Sequence, residues 1–276
     1  MKPMRLSSVT GGKAVFFPDH NSNVDRQKET HTVYVTEWSQ TLECKSQMTI
    51  GIAAYGPEAG RAVLEGALAT EILGCGSIRG FTVFSVLDEQ GAHRQFACQN
   101  GGVSAIDGIE AFYDARCAAL ISSGPNRPEP LSQFLVGVDS VGLITGHRLP
   151  QRQGASGLPL NTSTIQRIGR GEAPIAAVHA ELSENPEADC GLIALSADGR
   201  IGFGNSARVE RRNDLMEASR LEEKRGYALL GNSVYFRQGC QPCTVIGDII
   251  WARLAGRSCG FFLAQLSGPV PVLSAS

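Results

Sequence analysis

Residues 48–55 read Met-Thr-Ile-Gly-Ile-Ala-Ala-Tyr, a short apolar run with β-branched residues at its head. Such a run, bounded by turn residues, predicts a buried strand. Gly56-Pro57-Glu58 follows, and Pro57 fits the first turn of a helix, where its missing N–H costs nothing. Ala59, Ala62, Val63, Ala67, Leu68 and Ile72 then recur at helical spacing, with Gly74 as the stop. The stretch therefore opens a domain as strand, turn and helix. It also puts a threonine directly after a methionine. If that threonine becomes a chain terminus, it carries a hydroxyl nucleophile and a base, its own α-amine, in one residue. The amine's reference pKa of roughly 7.7–8.0 leaves it able to accept a proton near neutral pH. A bland reading stands beside this one, since Thr is common in strands.

Downstream, Gly80–Leu87 reads as a buried strand, and Asp88–Gly91 turns it into a hairpin with Ala92–Gln99. Asp107-Gly-Ile-Glu110 has capping-box spacing and predicts a helix to about Ser122. Strands are expected at Phe134–Val138 and Val141–Thr145, and helices at Thr162–Ile168 and Pro174–Ser183. Cys190–Leu195, the Ala197-Asp198-Gly199 turn and Arg200–Asn205 form a second hairpin. Arg208–Arg225 is charged and expected to be partly helical. Gly226–Phe236 reads as strand, Val245–Leu254 as helix and Gly260–Leu266 as the last strand. Two short-looped hairpins with helices between them favour antiparallel sheets covered by helices. The fold class expected is α+β, a four-layer αββα sandwich.

Upstream, residues 1–47 contain a single alanine, Ala14, and mixed charges, six Lys/Arg against five Asp/Glu. Only Thr32–Thr36 reads as strand. The expectation is an N-terminal extension (1–47), poorly structured or included through a wrongly chosen start codon, and one domain over 48–276. The whole chain has 276 residues, 42% hydrophobic and 19% charged, with net charge −2. That charge gives no reason to expect nucleic acid or an anionic membrane as a partner. Apolar runs are too short to span a bilayer, and a cytoplasmic location is expected. Eight cysteines are scattered; only Cys240-Gln-Pro-Cys243 is a CxxC, without the second ligand pair of a zinc site. No metal or organic cofactor is called for. HExxH, GxSxG and Walker patterns are missing from the sequence, which disfavours zinc proteases, elbow-type esterases and P-loop NTPases.

The segments MTIGIAAYGPEAGRAV, GCGSIRGF, QNGG and GRIGFGNSARV with the nearby Arg pair resemble a small bacterial family. That family is similar in fold to the N-terminal-nucleophile (Ntn) hydrolases, and its members look as though they start where Met48 stands. The resemblance covers Met48 to about Leu266. It implies the αββα sandwich and makes Thr49 a candidate N-terminus, but carries no known reaction. Pro57 opening a helix after the first strand departs from many Ntn hydrolases, which run into a hairpin there.

Around Thr49 as nucleophile, Asn100 and Gly101 are the candidate oxyanion donors, with Gly102 letting a ligand approach the backbone; an ordinary tight turn is the alternative. Arg79 and Arg208 could hold a substrate carboxylate. His147 closes a strand and could border the site or face solvent from a loop, and Asn205 ends the second hairpin. His179 is expected to be a partly buried helix residue, and Arg211 and Arg212 a solvated face. The activity expected is hydrolysis of a small amide. The alternatives are a small-molecule binder of the same fold and a cyclohydrolase-type enzyme. The partner is a small-molecule substrate, and the helical outer layers leave a homo-oligomer open.

Overall fold

A computed structural model describes residues 13–18, 31–35, 46–236, 241–256 and 263–265. The chain divides into two compact units, Met1–Glu43 with Ser258–Ser276, and Cys44–Arg257. In the first unit, β1 (Lys13–Pro18) pairs antiparallel with both β2 (His31–Val35) and β13 (Leu263–Gln265). Sequence patterning had offered only the second of these within the first 47 residues.

The second unit runs β3 (Thr49–Tyr55), α1 (Ala59–Leu73), β4 (Phe81–Leu87), β5 (His93–Gln99), β6 (Cys117–Ser123), β7 (Val136–Val138) and β8 (Gly142–Arg148). It continues with α2 (Leu160–Gly169), α3 (Pro174–Glu184), β9 (Cys190–Ser196), β10 (Ile201–Asn205) and α4 (Ala207–Glu210). The last elements are β11 (Leu215–Leu221), β12 (Gly226–Asn232) and α5 (Pro242–Leu254). The class is mixed α+β. One sheet has the order β11-β12-β3-β6-β4-β5 and the other β10-β9-β8-β7, with antiparallel pairing throughout.

Side-chain alternation along each strand sorts the core into three slabs. Ile50, Ile52 and Ala54 of β3 pack with Val63 and Ala67 of α1 and Ile246 and Ile250 of α5. Ala53 and Tyr55 point the other way and meet Leu143, Ile193 and Leu195 of the smaller sheet. The far side of that sheet, Ile144, Leu192 and Ala194, is covered by Leu160 and Ile165 of α2 and Val178 and Leu182 of α3. A strand buried on both faces has no polar alternation, and β3 is buried at every position.

The two sheets draw together where β3 crosses β8. A Cβ on Gly51 would run into the carbonyl of Gly146, so two glycines permit a backbone-to-backbone approach that side chains would block. On the helical side, Arg253 of α5 grips Glu65 of α1 through Nε (2.9 Å) and Nη2 (2.7 Å).

Two expected elements take another form. The capping-box segment makes only a 3₁₀ turn, Ile109–Phe112, and Cys117–Ser123 is a strand instead of a helix end. Its alanines favour helix, but pairing with both β3 and β4 places it in the sheet interior, and tertiary pairing prevails. Within Arg208–Arg225, helix ends at Glu210 and Leu215–Leu221 is an edge strand paired only with β12. Its charged residues sit where an edge tolerates them.

Candidate functional site

At one end of the larger sheet, Leu215, Asn232, Thr49, Ser123, Phe81 and Gln99 stand side by side in register. Thr49, Ser123, Asn232 and Phe81 have the same strand parity as Ala53, Ile121, Leu230 and Val83, which face the smaller sheet. From that sheet His147, Gly191 and Asn205 pair across β8, β9 and β10 at the same end. Both sheets therefore deliver polar side chains to one mouth between them.

Thr49 is almost fully buried, and its Oγ1 lies 2.9 Å from Ser123 Oγ. Ser123 Oγ in turn accepts from Arg127 Nη2 at 3.4 Å. The Arg127 guanidinium lies over the rings of Phe81 and Phe134, at 5.8 and 6.0 Å from their centroids. Gln99 anchors its backbone, accepting from Arg127 N–H at 3.2 Å and donating to the Arg127 carbonyl at 2.5 Å.

Before Thr49 the chain is equally well held. The Met48 side chain is wholly buried in the helix-side core. Its N–H donates to Ser77 O at 3.0 Å, and its carbonyl accepts from Gly124 N–H at 2.9 Å.

His147 is fully buried, which corrects the solvent-facing reading. Its Nδ1 lies 3.1 Å from Asn232 Oδ1 and its Nε2 2.7 Å from Asn205 Oδ1. Burial pushes its pKa below the ordinary value, against the opposing pull of both amides. A neutral ring has one N–H and one lone pair, so one asparagine must offer it an amide N–H instead of an oxygen. Asn232 already gives its amide to Ser233 Oγ at 3.2 Å. The network thus assigns the ring-facing atom of Asn205, which exchanges with its amide nitrogen on a flip, as the donor to the ring. Next in the chain, Arg148 holds Asp189 with a two-pronged grip through Nε and Nη2 (2.8 Å to Oδ2). Arg148 (φ 66°) and Ser233 (φ 57°) both adopt the left-handed region. Such strain in non-glycine residues gathers at functional sites.

Asn100, Gly101 and Gly102 lie at the same sheet end but at the far strand, three strand spacings from Thr49, or about 14 Å. The Asn100 and Gly101 N–H groups are not aimed at Thr49. Asn100 N–H donates to Gly80 O (2.9 Å) and Gly101 N–H to Arg79 O (3.1 Å). The turn instead wraps a buried carboxylate. Glu71 Oε1 accepts the Val103 N–H at 2.9 Å, and Arg79 Nε lies 3.4 Å from Oε2. Burial raises the Glu71 pKa, opposed by that N–H and by Arg79. Gly102, at φ 69°, has no room for a Cβ beside this carboxyl. Arg79 therefore sits beside Glu71 at this turn, on the far side of the sheet from Thr49.

Asn205 joins the site, but Arg208 does not. Ser206 caps α4 by accepting from Val209 N–H at 3.2 Å, and Arg208 is exposed, 3.4 Å from Glu187 O. Arg211 pairs with Glu187 and Arg212 with Asp214. His179 is exposed, not partly buried. Cys240 of the CxxC lies outside the described residues, while Cys243 is a free thiol packed at the helix-side core. Among the described residues no group of three or more His, Cys, Asp or Glu side chains is placed to hold a metal ion. No helix among them is long and apolar enough to cross a membrane.

Patterning missed Ser123, Arg127 and Asn232. Asn232 is legible from sequence only as a strand residue, and Ser123 is expected just past the end of a helix. What singles them out is their position beside Thr49 in the ladder, and strand order supplies that.

No curated protein matches the sequence. Residues 49–260, well over half of the chain, match the family described as a domain of unknown function, DUF6963, and the match begins at Thr49 itself. The chain therefore belongs to the DUF6963 family.

Proposed function

We propose that the protein is a hydrolase of small amides with an Ntn-hydrolase-like αββα fold, in which Thr49, once it is the N-terminal residue, is the nucleophile. One observation carries this reading. Thr49 is the first residue of an interior strand, and its hydroxyl faces the mouth between the two sheets, 2.9 Å from a second hydroxyl. The stacking of helices, sheet, sheet and helices and the family match starting at Thr49 both support it.

In this scheme the released α-amine takes the Thr49 Oγ1 proton as the oxygen adds to the amide carbonyl. The amine leaving group then departs with that proton. Water hydrolyses the resulting ester, returning the free hydroxyl. Ser123 Oγ–H is the donor nearest to the developing oxyanion. Asn232 and His147 fix the wall behind it. The turn at Asn100–Gly102 has no part, since it lies three strands from Thr49 and the Asn100 and Gly101 N–H groups are spent on carbonyls.

A second reading has its own observation. Met48 is buried and hydrogen-bonded at both backbone groups, which suits a Thr49 that stays within the chain. The protein is then a non-catalytic small-molecule binder using the same mouth.

A chain that begins at Thr49, treated with a β-lactone electrophile, separates the two. The hydrolase reading expects a single covalent adduct on Thr49 by intact mass and peptide mapping, retained in Thr49→Ser and lost in Thr49→Ala. A folded chain that takes no adduct and cleaves none of a panel of small amides leaves only the binder.

A further inference from the structure

The described arginines that reach inward mostly fill the fork made by Nε and Nη2 with a carboxylate. Arg148 gives it to Asp189, Arg212 to Asp214 and Arg253 to Glu65. Arg127 differs. Its Nη2 has only the long contact to Ser123 Oγ, at 3.4 Å, and its Nε–H is shut off from water with no acceptor. Among the described residues no carboxylate pairs with it.

Its surroundings make an unpaired donor costly. The adjoining Phe81 and Phe134 rings lie beside the guanidinium, and burial and the positive charge of Arg148 both push its pKa down. A planar cation set beside an aromatic pair, with an Nε–H lacking an acceptor, matches the geometry of a carboxylate, which takes two parallel N–H bonds from such a fork. The guanidinium is separated from Thr49 Oγ1 by the single hydroxyl of Ser123.

We infer that Arg127 is a carboxylate-binding residue, and that the ligand of the Thr49 mouth is a small molecule with a free carboxylate beside the group presented to Thr49. Used together with the hydrolase reading, this narrows the substrate class to small amides that keep a free carboxylate, namely monoamides of dicarboxylic acids and N-acyl amino acids. Carboxylate binding itself does not require catalysis. Of the two arginines singled out from sequence, Arg79 sits beside Glu71 and Arg208 is exposed away from the mouth. Entry of the ligand displaces Ser123 Oγ from Nη2, which couples occupancy to the Thr49–Ser123 hydrogen bond.

The test uses the full chain and glutarate, titrated by isothermal calorimetry, with glutaramide and inorganic phosphate as comparisons. Glutarate should bind and glutaramide should not. Arg127→Gln should weaken glutarate at least tenfold, and Arg127→Lys, which keeps the charge and loses the fork, should weaken it several-fold. Arg208→Gln should leave it unchanged. Thermal melts of each variant show whether the loop still folds, and the Lys variant serves if the Gln variant does not. Equal affinity in wild type and either folded Arg127 variant, no glutarate binding at all, or preference for phosphate would each overturn the assignment. Thr49 labelling by the electrophile is scored separately. Glutarate binding without labelling sinks the hydrolase reading alone, and labelling without glutarate binding sinks this one alone.

Discussion

Thr49 and Asn232 stand directly opposite each other in the ladder joining β12 to β3, and Asn232 also reaches His147 Nδ1 at 3.1 Å in the other sheet. The first residue of an interior strand is thus bound sideways to the residue that bridges the sheets. Thr49, Ser123, Asn232, His147 and Asn205 are all ladder positions, held by strands, and Arg127 joins them from the loop after β6. Strand-borne groups keep their geometry better than loop-borne ones.

The buried His147 predicts a pH dependence of stability. Its folded pKa lies below its unfolded value of about 6.5. As pH falls, the unfolded chain takes up the proton first, so stability present above about pH 6.5 is lost as pH drops through the folded pKa. Urea unfolding at pH 7.5 and pH 5 should show this loss in the wild type. His147→Gln, which cannot titrate, should lose less between the same two pH values. An identical pH dependence in both proteins would show that His147 does not contribute it.

Glu71 predicts the opposite sign. Burial raises its folded pKa, so its contribution is present below the unfolded pKa and is lost as pH rises through the folded one. Glu71→Gln keeps an acceptor for Val103 N–H and should become relatively more favourable from pH 4 to pH 8. Gly102→Ala, at φ 69° and against the same carboxyl, should cost about 1–3 kcal/mol. A pH-independent Glu71→Gln difference would contradict the first expectation, and a neutral Gly102→Ala the second.

Where the sheets cross, Gly51→Ala forces a methyl into the Gly146 carbonyl. Both partners are backbone, so neither can rotate away. A loss of about 1–3 kcal/mol in chemical unfolding is expected, in the range of overpacked cores. A wild-type midpoint would mean that the sheets have slack at this crossing.

Met48→Ala measures how strongly the junction before Thr49 is held. The side chain is 0% exposed and fills the space against Gly74, so its removal should cost about 2–5 kcal/mol. The same figure is the packing that a chain beginning at Thr49 must give up. A loss below 1 kcal/mol would show that Met48 is dispensable and that opening the Met48–Thr49 bond is cheap.

Elements whose periodicity is local can be read from residue order. The TIGIAAY strand, the helix after it, both hairpins and the helices over Pro174–Glu184 and Pro242–Leu254 were legible because spacing and turn residues act within a few positions. Residue order also identified Thr49, His147 and Asn205 as residues of interest. Tertiary structure alone decided what stands next to what. Cys117–Ser123 is a strand because two neighbours pair with it, although its alanines favour helix. Ser123, Arg127 and Asn232 come to Thr49 through ladders linking residues 74 or more positions apart, or through the loop following such a strand. The QNGG turn lies far from Thr49 for the same reason. Strand order sets that distance, and strand order is the sum of many long-range pairings that no local window contains.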